Sequence, residues 1–126
     1  MEKSRGKILW IDDEIDLLKP HILFLKEKGY SIATCSNGRD GISQSKDKIF
    51  DLVLLDQFMP GLDGMDTLRE IKGNNPALPV IMITKSEEEW LMDEAISEKI
   101  AHFLIKPINP NQIFIACKQV LENSKI

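Results

Sequence analysis

Five short apolar runs, each followed by a longer amphipathic stretch, constrain this chain more than any other feature. The runs are 7–12, 30–35, 51–56, 79–84 and 101–106. With four or five apolar or β-branched residues apiece they are too short for helices and suit strands. Four are nearly continuous in apolar character, as in a parallel sheet with helices on both faces, whereas 30–35 mixes in polar residues and reads as an edge strand. No repeat, low-complexity tract or Pro/Gly linker interrupts the alternation, and 126 residues is the size of one domain. Five strands alternating with five helices predict a doubly wound α/β sheet with right-handed crossovers.

The intervening stretches carry helical spacing. Across 14–28, Ile15, Leu18, Ile22 and Leu25 form one stripe, and Gly29 supplies the stop. Pro20 falls inside that stretch, where a proline removes a backbone donor, so a kinked helix is expected. A weaker helix covers 39–48, with Gly41 within it. In 64–72, Met65, Leu68 and Ile71 share a face, with Gly73 as the stop. Ser86 followed by Glu87, Glu88 and Glu89 predicts a helix opening on a capping box between Ser86 and Glu89. The last helix should begin with Asn109 as cap and Pro110 in the first turn, packing Ile113, Cys117 and Val120 on the sheet.

Composition removes several classes of function. Sixteen Lys and Arg against twenty Asp and Glu leave a net charge of −4 with no basic block, so neither nucleic acid nor an anionic membrane is an expected partner. The longest apolar run, Ile113 to Cys117, is far short of a membrane span. The amino end, MEKSRGK, leads into four apolar residues before Asp12, which is no secretory signal. Cys35 and Cys117 match no metal-ligand spacing and read as buried thiols in a reducing, cytoplasmic setting.

Ligands of doubly wound sheets bind beyond the carboxyl ends of the strands, where strand order reverses. Here those ends carry Asp12-Asp13, Asp56, Thr84 and Lys106. Singly, each has an ordinary explanation as a cap, loop residue or solvated lysine. Together, at four of five strand ends, they describe a site. Two carboxylates about 5 Å apart repel by about 3 kcal/mol at an effective dielectric of roughly 20. A divalent cation relieves that, and oxygen donors with room for water favour Mg²⁺ or Mn²⁺ over Zn²⁺. Three carboxylates, the Lys106 ammonium and one M²⁺ sum to zero charge, so an arriving phosphoryl group meets a neutralised site. Thr84 and Lys106 are placed to bind its oxygens.

The segments Ile8-Leu-Trp-Ile-Asp-Asp-Glu14, Leu52-Val-Leu-Leu-Asp-Gln-Phe-Met-Pro-Gly-Leu-Asp-Gly64, Ile81-Met-Ile-Thr84 and Leu104-Ile-Lys-Pro107 together resemble the receiver domain of two-component response regulators. The resemblance covers essentially the whole chain, 1–126, with 1–6 left as a polar amino-terminal tail. It implies the flavodoxin-like sheet of order 2-1-3-4-5 and phosphoryl transfer from a sensor histidine kinase, a phosphotransfer protein or a small acyl phosphate. Asp56 corresponds to the phosphoacceptor, and Asp12 and Asp13 to the acidic pair for Mg²⁺. Phe58 would offer its backbone carbonyl to the metal. Thr84 and Phe103 match the switch pair, Lys106 the active-site lysine, and Pro107 a cis proline. The domain would catalyse its own phosphorylation and dephosphorylation rather than turn over a substrate. Its readout face would be helix four, strand five and helix five, meeting an output domain, an effector or a second copy, with Trp90 and Met92 as candidates for exposure there. The amino-terminal half further resembles PorX-like regulators of bacterial type IX secretion, which carry a phosphatase-superfamily domain after the receiver; that implies a fragment of a longer regulator.

Two residues depart from the family pattern. Lys85 stands where a small residue is usual and is expected to tune access of small phosphodonors. Phe58 replaces a common polar residue and is expected to shield the phosphoryl group from water. His21 and His102 read as structural. Competing functions are a phosphorylation-independent, receiver-like interaction module and a haloacid-dehalogenase-type phosphatase with Asp56 as nucleophile. The former typically lacks an acid or the lysine. The latter usually has an acid two residues after the nucleophile, where Phe58 stands.

Overall fold

Alternate residues of the central strands face opposite sides of the sheet, and both sides are apolar. A computed structural model describes residues 4–123. It contains β1 (Lys7–Ile11), a 3₁₀ turn (Ile15–Leu18), α1 (Lys19–Glu27), β2 (Ser31–Cys35), α2 (Gly38–Asp47) and β3 (Leu52–Leu55), then α3 (Gly64–Asn74), β4 (Val80–Thr84), α4 (Glu89–Ser97), β5 (His102–Ile105) and α5 (Pro110–Asn123). All pairings are parallel and the strand order is β2-β1-β3-β4-β5. This is the flavodoxin-like architecture expected.

The chain first steps from β1 outward to β2, then returns past β1 and proceeds through β3, β4 and β5. With crossovers of one hand, that reversal puts the first helix on the opposite face from the next three. The core divides accordingly. Leu9, Ile11, Val53, Leu55, Val80 and Met82 pack with Ile42 of α2, Leu68 and Ile71 of α3, and Leu91 and Ala95 of α4. Ile8, Trp10, Leu52, Leu54, Ile81 and Ile83 pack on the other side with Leu25 of α1 and Ile113, Cys117 and Leu121 of α5. Both cysteines are buried and unpaired, and burial pushes the Cys117 thiol up to about 12. No helix among the described residues is long and apolar enough to cross a membrane.

Local chemistry explains the boundaries. The segment 14–28 is not one kinked helix. A 3₁₀ turn precedes α1, and Pro20 lies in the first turn of α1, where an N–H has no intrahelical partner to lose. The apolar stripe survives: Ile15, Leu18 and Ile22 all lean on the core around Leu25. Gly29, at φ +102°, ends α1 with the Tyr30 and Gly29 N–H groups returning to the Leu25 and Lys26 carbonyls, a Schellman closure. Gly73 does not stop α3, which continues to Asn74.

The capping box at Ser86 does not form. α4 starts at Glu89, and Ser86 Oγ instead accepts from Glu88 N at 3.1 Å. Asn109 caps the last helix as expected, and the cap goes further than the sequence reading, into a reciprocal box with Asn109 Oδ1 accepting from Gln112 N and Gln112 Oε1 from Asn109 N. Ser4–Gly6 lie against the domain. Arg5 N donates to Gly29 O, the Arg5 guanidinium lies over the Tyr30 and Phe114 rings, and Gly6 O accepts from Ser31 N. Residues 1–3 of the expected tail lie outside the described residues.

Candidate functional site

The order of the sheet reverses between β1 and β3, and the acids stand at that point. Each strand ladder runs one bond past the strand and fixes the backbone of a site residue. Asp12 N donates to Cys35 O at 3.0 Å, Asp56 N to Ile11 O at 3.0 Å, and Lys106 N to Thr84 O at 2.8 Å. These positions are therefore set by the sheet rather than by free loops. One carboxylate oxygen from each of Asp12, Asp13 and Asp56 lies within 4.8 Å of the other two. Asp12 and Asp56 are buried and Asp13 is exposed, so the cluster opens to solvent on one side.

Lys106 closes the other side. Its Nζ donates to Asp12 Oδ2 at 2.9 Å and lies 3.6 Å from Asp56 Oδ1. The remaining Asp12 oxygen, Oδ1, accepts from Glu14 N at 2.9 Å. Burial, followed by the neighbouring Asp12 carboxylate, pushes Asp56 up to about 6; Lys106 and the Gln57 backbone N–H oppose that rise incompletely. For Lys106, burial alone would weaken the charge, but the hydrogen bond to Asp12 and the charge on Asp56 outweigh it and hold the ammonium above its usual value. One cation thus faces three acids and does not balance them. The donors are hard oxygens at small mutual distance with one exposed side, a set suited to Mg²⁺ or Mn²⁺.

The other residues singled out in the sequence divide into two groups. Thr84 is fully buried at the end of β4, its Oγ1 accepting from Ser86 N at 3.3 Å, and the peptide joining Lys106 to Pro107 is cis. Phe103 is half-buried against the α2–α3–α4 side of the core. Lys85 pairs with Glu14 at 3.1 Å, and Phe58 keeps 53% of its surface exposed. In the first turn of α4, Trp90 is exposed with its indole N–H donated to Glu88, while Met92 is half-buried. His21 is structural: its Nε2 lies 2.8 Å from Ile108 O, tying α1 to the loop after Lys106. His102 is exposed, its Nδ1 accepting from Phe103 N.

Sequence reasoning passed over two features. Gln57 is 5% exposed and bonds to the start of α3, a contact that no local spacing announces because its partner is eight residues away. A groove of about 430 Å³ beside the acids is lined by Leu17, Leu18, His21, Pro107 and Ile108, with Glu14, Lys85 and Lys106 also on its wall.

The glycine that opens α3 is part of the site's construction. A Cβ on Gly64 would stand 2.4 Å from the Asp56 carbonyl oxygen and 2.6 Å from Gln57 Cα, both backbone atoms. Gly64→Ala is therefore expected to push the acceptor loop outward and cost about 1–3 kcal/mol in urea unfolding; an unchanged midpoint would show that the loop yields freely.

Comparison with known proteins agrees with this geometry. Residues 8–118 match the family model described as the response regulator receiver domain. The transcriptional regulatory protein ZraR of Salmonella typhimurium is 33% identical over 123 residues, covering 96% of this chain and 28% of that protein. The transcriptional regulatory protein ResD of Bacillus subtilis is 30% identical, covering 98% and 51%. The chain thus spans between about a quarter and a half of these relatives' length. Among solved structures, a receiver domain protein from Clostridium thermocellum superposes with a TM-score of 0.86 at 32% identity, covering 95% of this chain and 97% of that one. A CheY-like receiver domain protein from Methanospirillum hungatei gives 0.91 at 21%, covering 98% of each chain, a likeness of fold alone. Since the family match runs from the first strand into the last helix, the chain belongs to the response regulator receiver domains of two-component signalling systems.

Proposed function

We propose that Asp56 accepts a phosphoryl group from a histidine kinase, a phosphotransfer protein or a small acyl phosphate, and that the charge change is read out on the α4–β5–α5 face. The observation that carries this reading is the convergence of Asp12, Asp13 and Asp56 within 4.8 Å of one another, with Lys106 bonded into the cluster. In the transfer, the donor's N–P bond (or the acetyl O–P bond) breaks as a bond forms between an Asp56 carboxylate oxygen and phosphorus. The imidazole or acetate leaves with the bonding pair. The protein's contribution is positioning and stabilisation of charge on the equatorial oxygens.

Asp12, Asp13, Asp56 and the Phe58 carbonyl would hold Mg²⁺, which when bound supplies charge neutralisation at the phosphoryl oxygens. Lys106 reaches both buried carboxylates and supplies a second cation to the incoming group. The Thr84 hydroxyl, with its oxygen already accepting from Ser86, keeps its proton to donate to a phosphoryl oxygen. Movement of Thr84 toward that oxygen would free space for Phe103 to bury further, a two-state change biased by local charge. Exposed Trp90 and Ile96 on α4 and Ile115 on α5 give that face apolar contact area for an effector, an output domain or a second copy. Phe58 stands at the rim as a cover over the acyl phosphate.

The test is intact mass after incubation with acetyl phosphate. Wild type should gain one phosphoryl group with Mg²⁺ and none without it; no gain in either condition would overturn the assignment. Lys85 gives a graded prediction. With the long side chain and its pair to Glu14 removed from the rim, the Lys85→Ala variant should label a few times faster, about threefold for a change of roughly 0.7 kcal/mol, and an unchanged rate would remove Lys85 from the entry path.

A further inference from the structure

We infer that Gln57 is a positioning residue for phosphoryl transfer, its side chain fastening the acceptor loop to the first turn of α3; this rests on the assignment of Asp56 as phosphoacceptor. The first turn of a helix carries N–H groups without intrahelical partners. In α3 those groups are accounted for one by one. Gly64 N donates to the Gln57 backbone carbonyl at 2.9 Å, Met65 N to Gln57 Oε1 at 2.8 Å, and Asp66 N to Asp63 Oδ1 at 2.9 Å. One residue thus takes the first two donors, using both of its acceptors, and Nε2 lies 3.5 Å from Asp63 Oδ2.

The location gives this arrangement its consequence. Gln57 stands between Asp56, whose carboxylate would be phosphorylated, and Phe58, whose carbonyl would join the cation site. On one side the loop is pinned by Asp56 N to Ile11 O. On the other, Gln57 anchors it twice, through its backbone carbonyl to Gly64 N and through a side chain in a residue only 5% exposed, with Gly64 pressed close enough that no Cβ would fit against the Asp56 carbonyl. Losing Oε1 would leave the Met65 N–H without a partner at a residue only 3% exposed. The loop could relieve that only by moving, and displacement of a reacting group by a fraction of an ångström is costly in rate.

The test compares Gln57→Met, which keeps the length and loses the acceptor, with Gln57→Glu, which keeps an acceptor oxygen. Labelling of the full chain by acetyl phosphate with Mg²⁺ gives the maximal rate and the half-saturating donor concentration for each. Gln57→Met should lose roughly tenfold in maximal rate with half-saturation changed by less than about twofold, and Gln57→Glu should return to within about threefold of wild type. A role confined to stability would move the melting temperature and leave the maximal rate of the folded fraction intact. Wild-type labelling by Gln57→Met, or Gln57→Glu as slow as Gln57→Met, overturns the inference. If Gln57→Met does not fold, Gln57→Asn, whose amide is one methylene too short to reach Met65 N, takes its place: a loss of about threefold or more supports the inference, and a smaller change overturns it. A wild type that takes no label refutes the phosphoacceptor assignment itself, and the role of Gln57 falls with it.

Discussion

Asp56→Asn is expected to abolish phosphoryl loading and, in the absence of divalent cation, to make the protein more stable. The first effect follows because the amide has no anionic oxygen to offer phosphorus. The second follows from the electrostatics of the site. Burial and the Asp12 carboxylate push Asp56 up to about 6, well above the ordinary value of 3.8. Between about pH 4 and pH 6 the folded protein therefore holds a proton that the unfolded chain has released, and stability falls as pH rises through that window. Above it, the ionised Asp56 costs on the order of 2 kcal/mol, after allowance for solvent reaching the open side of the cluster. Asparagine removes that cost, so the melting temperature at neutral pH should rise by roughly 6–10 °C and the downward slope between pH 4 and 6 should flatten. Mg²⁺ should do the same for wild type and much less for the variant, adding about 2.7 kcal/mol at a concentration a hundred times its dissociation constant. Thermal melts of both proteins across pH, with and without Mg²⁺, check each part. An asparagine variant less stable than wild type at pH 7 would show that Lys106 already balances the acids.

The second large effect is at Lys106. Lys106→Met preserves much of the aliphatic stem and removes, among the described residues, the only side-chain cation bonded to Asp12, as well as the charge 3.6 Å from Asp56. With one partner gone from a buried cluster, the cation-free protein should lose about 3 kcal/mol at pH 7 and recover as the pH is lowered and the acids take up protons. Labelling by acetyl phosphate should fall by roughly 10²-fold even at saturating Mg²⁺, because the lost group would stabilise charge on the transferred oxygens. A variant that labels at the wild-type rate would place Lys106 among the structural residues. The contrast between the two substitutions is itself informative. Removing one acid relaxes the cluster, whereas removing its cation strains it.

The parts of this site visible in the sequence are those placed by strand geometry. Asp12, Asp13, Asp56, Thr84 and Lys106 each terminate an apolar run, and a parallel sheet brings such ends to one rim. The misreadings share a physical origin, since short-range patterns do not encode where a loop must travel. Ile15, Leu18, Ile22 and Leu25 give the same stripe whether the segment is one helix or a 3₁₀ turn followed by a helix, so the spacing alone puts Pro20 mid-helix, whereas it stands in a first turn. Ser86 and Glu89 satisfy the spacing of a capping box, but the chain bends at Lys85, the helix begins only at Glu89, and Ser86 Oγ is used two residues on, at Glu88 N. Asn109 and Gln112 have the same spacing and form the box because Pro110 already sets the first turn. Gln57 was invisible for another reason. Its meaning lies in Met65, and only the folded loop brings the two together.

The most direct measurement of the central claim is a crystal structure grown with Mn²⁺ and beryllofluoride, a phosphoryl mimic. The account predicts an anomalous peak for the cation among Asp12, Asp13 and Asp56, and a beryllofluoride group on the Asp56 carboxylate with Lys106 and Thr84 on its fluorines. A cation bound elsewhere, or an Asp56 that carries no adduct at saturating ligand, would contradict it.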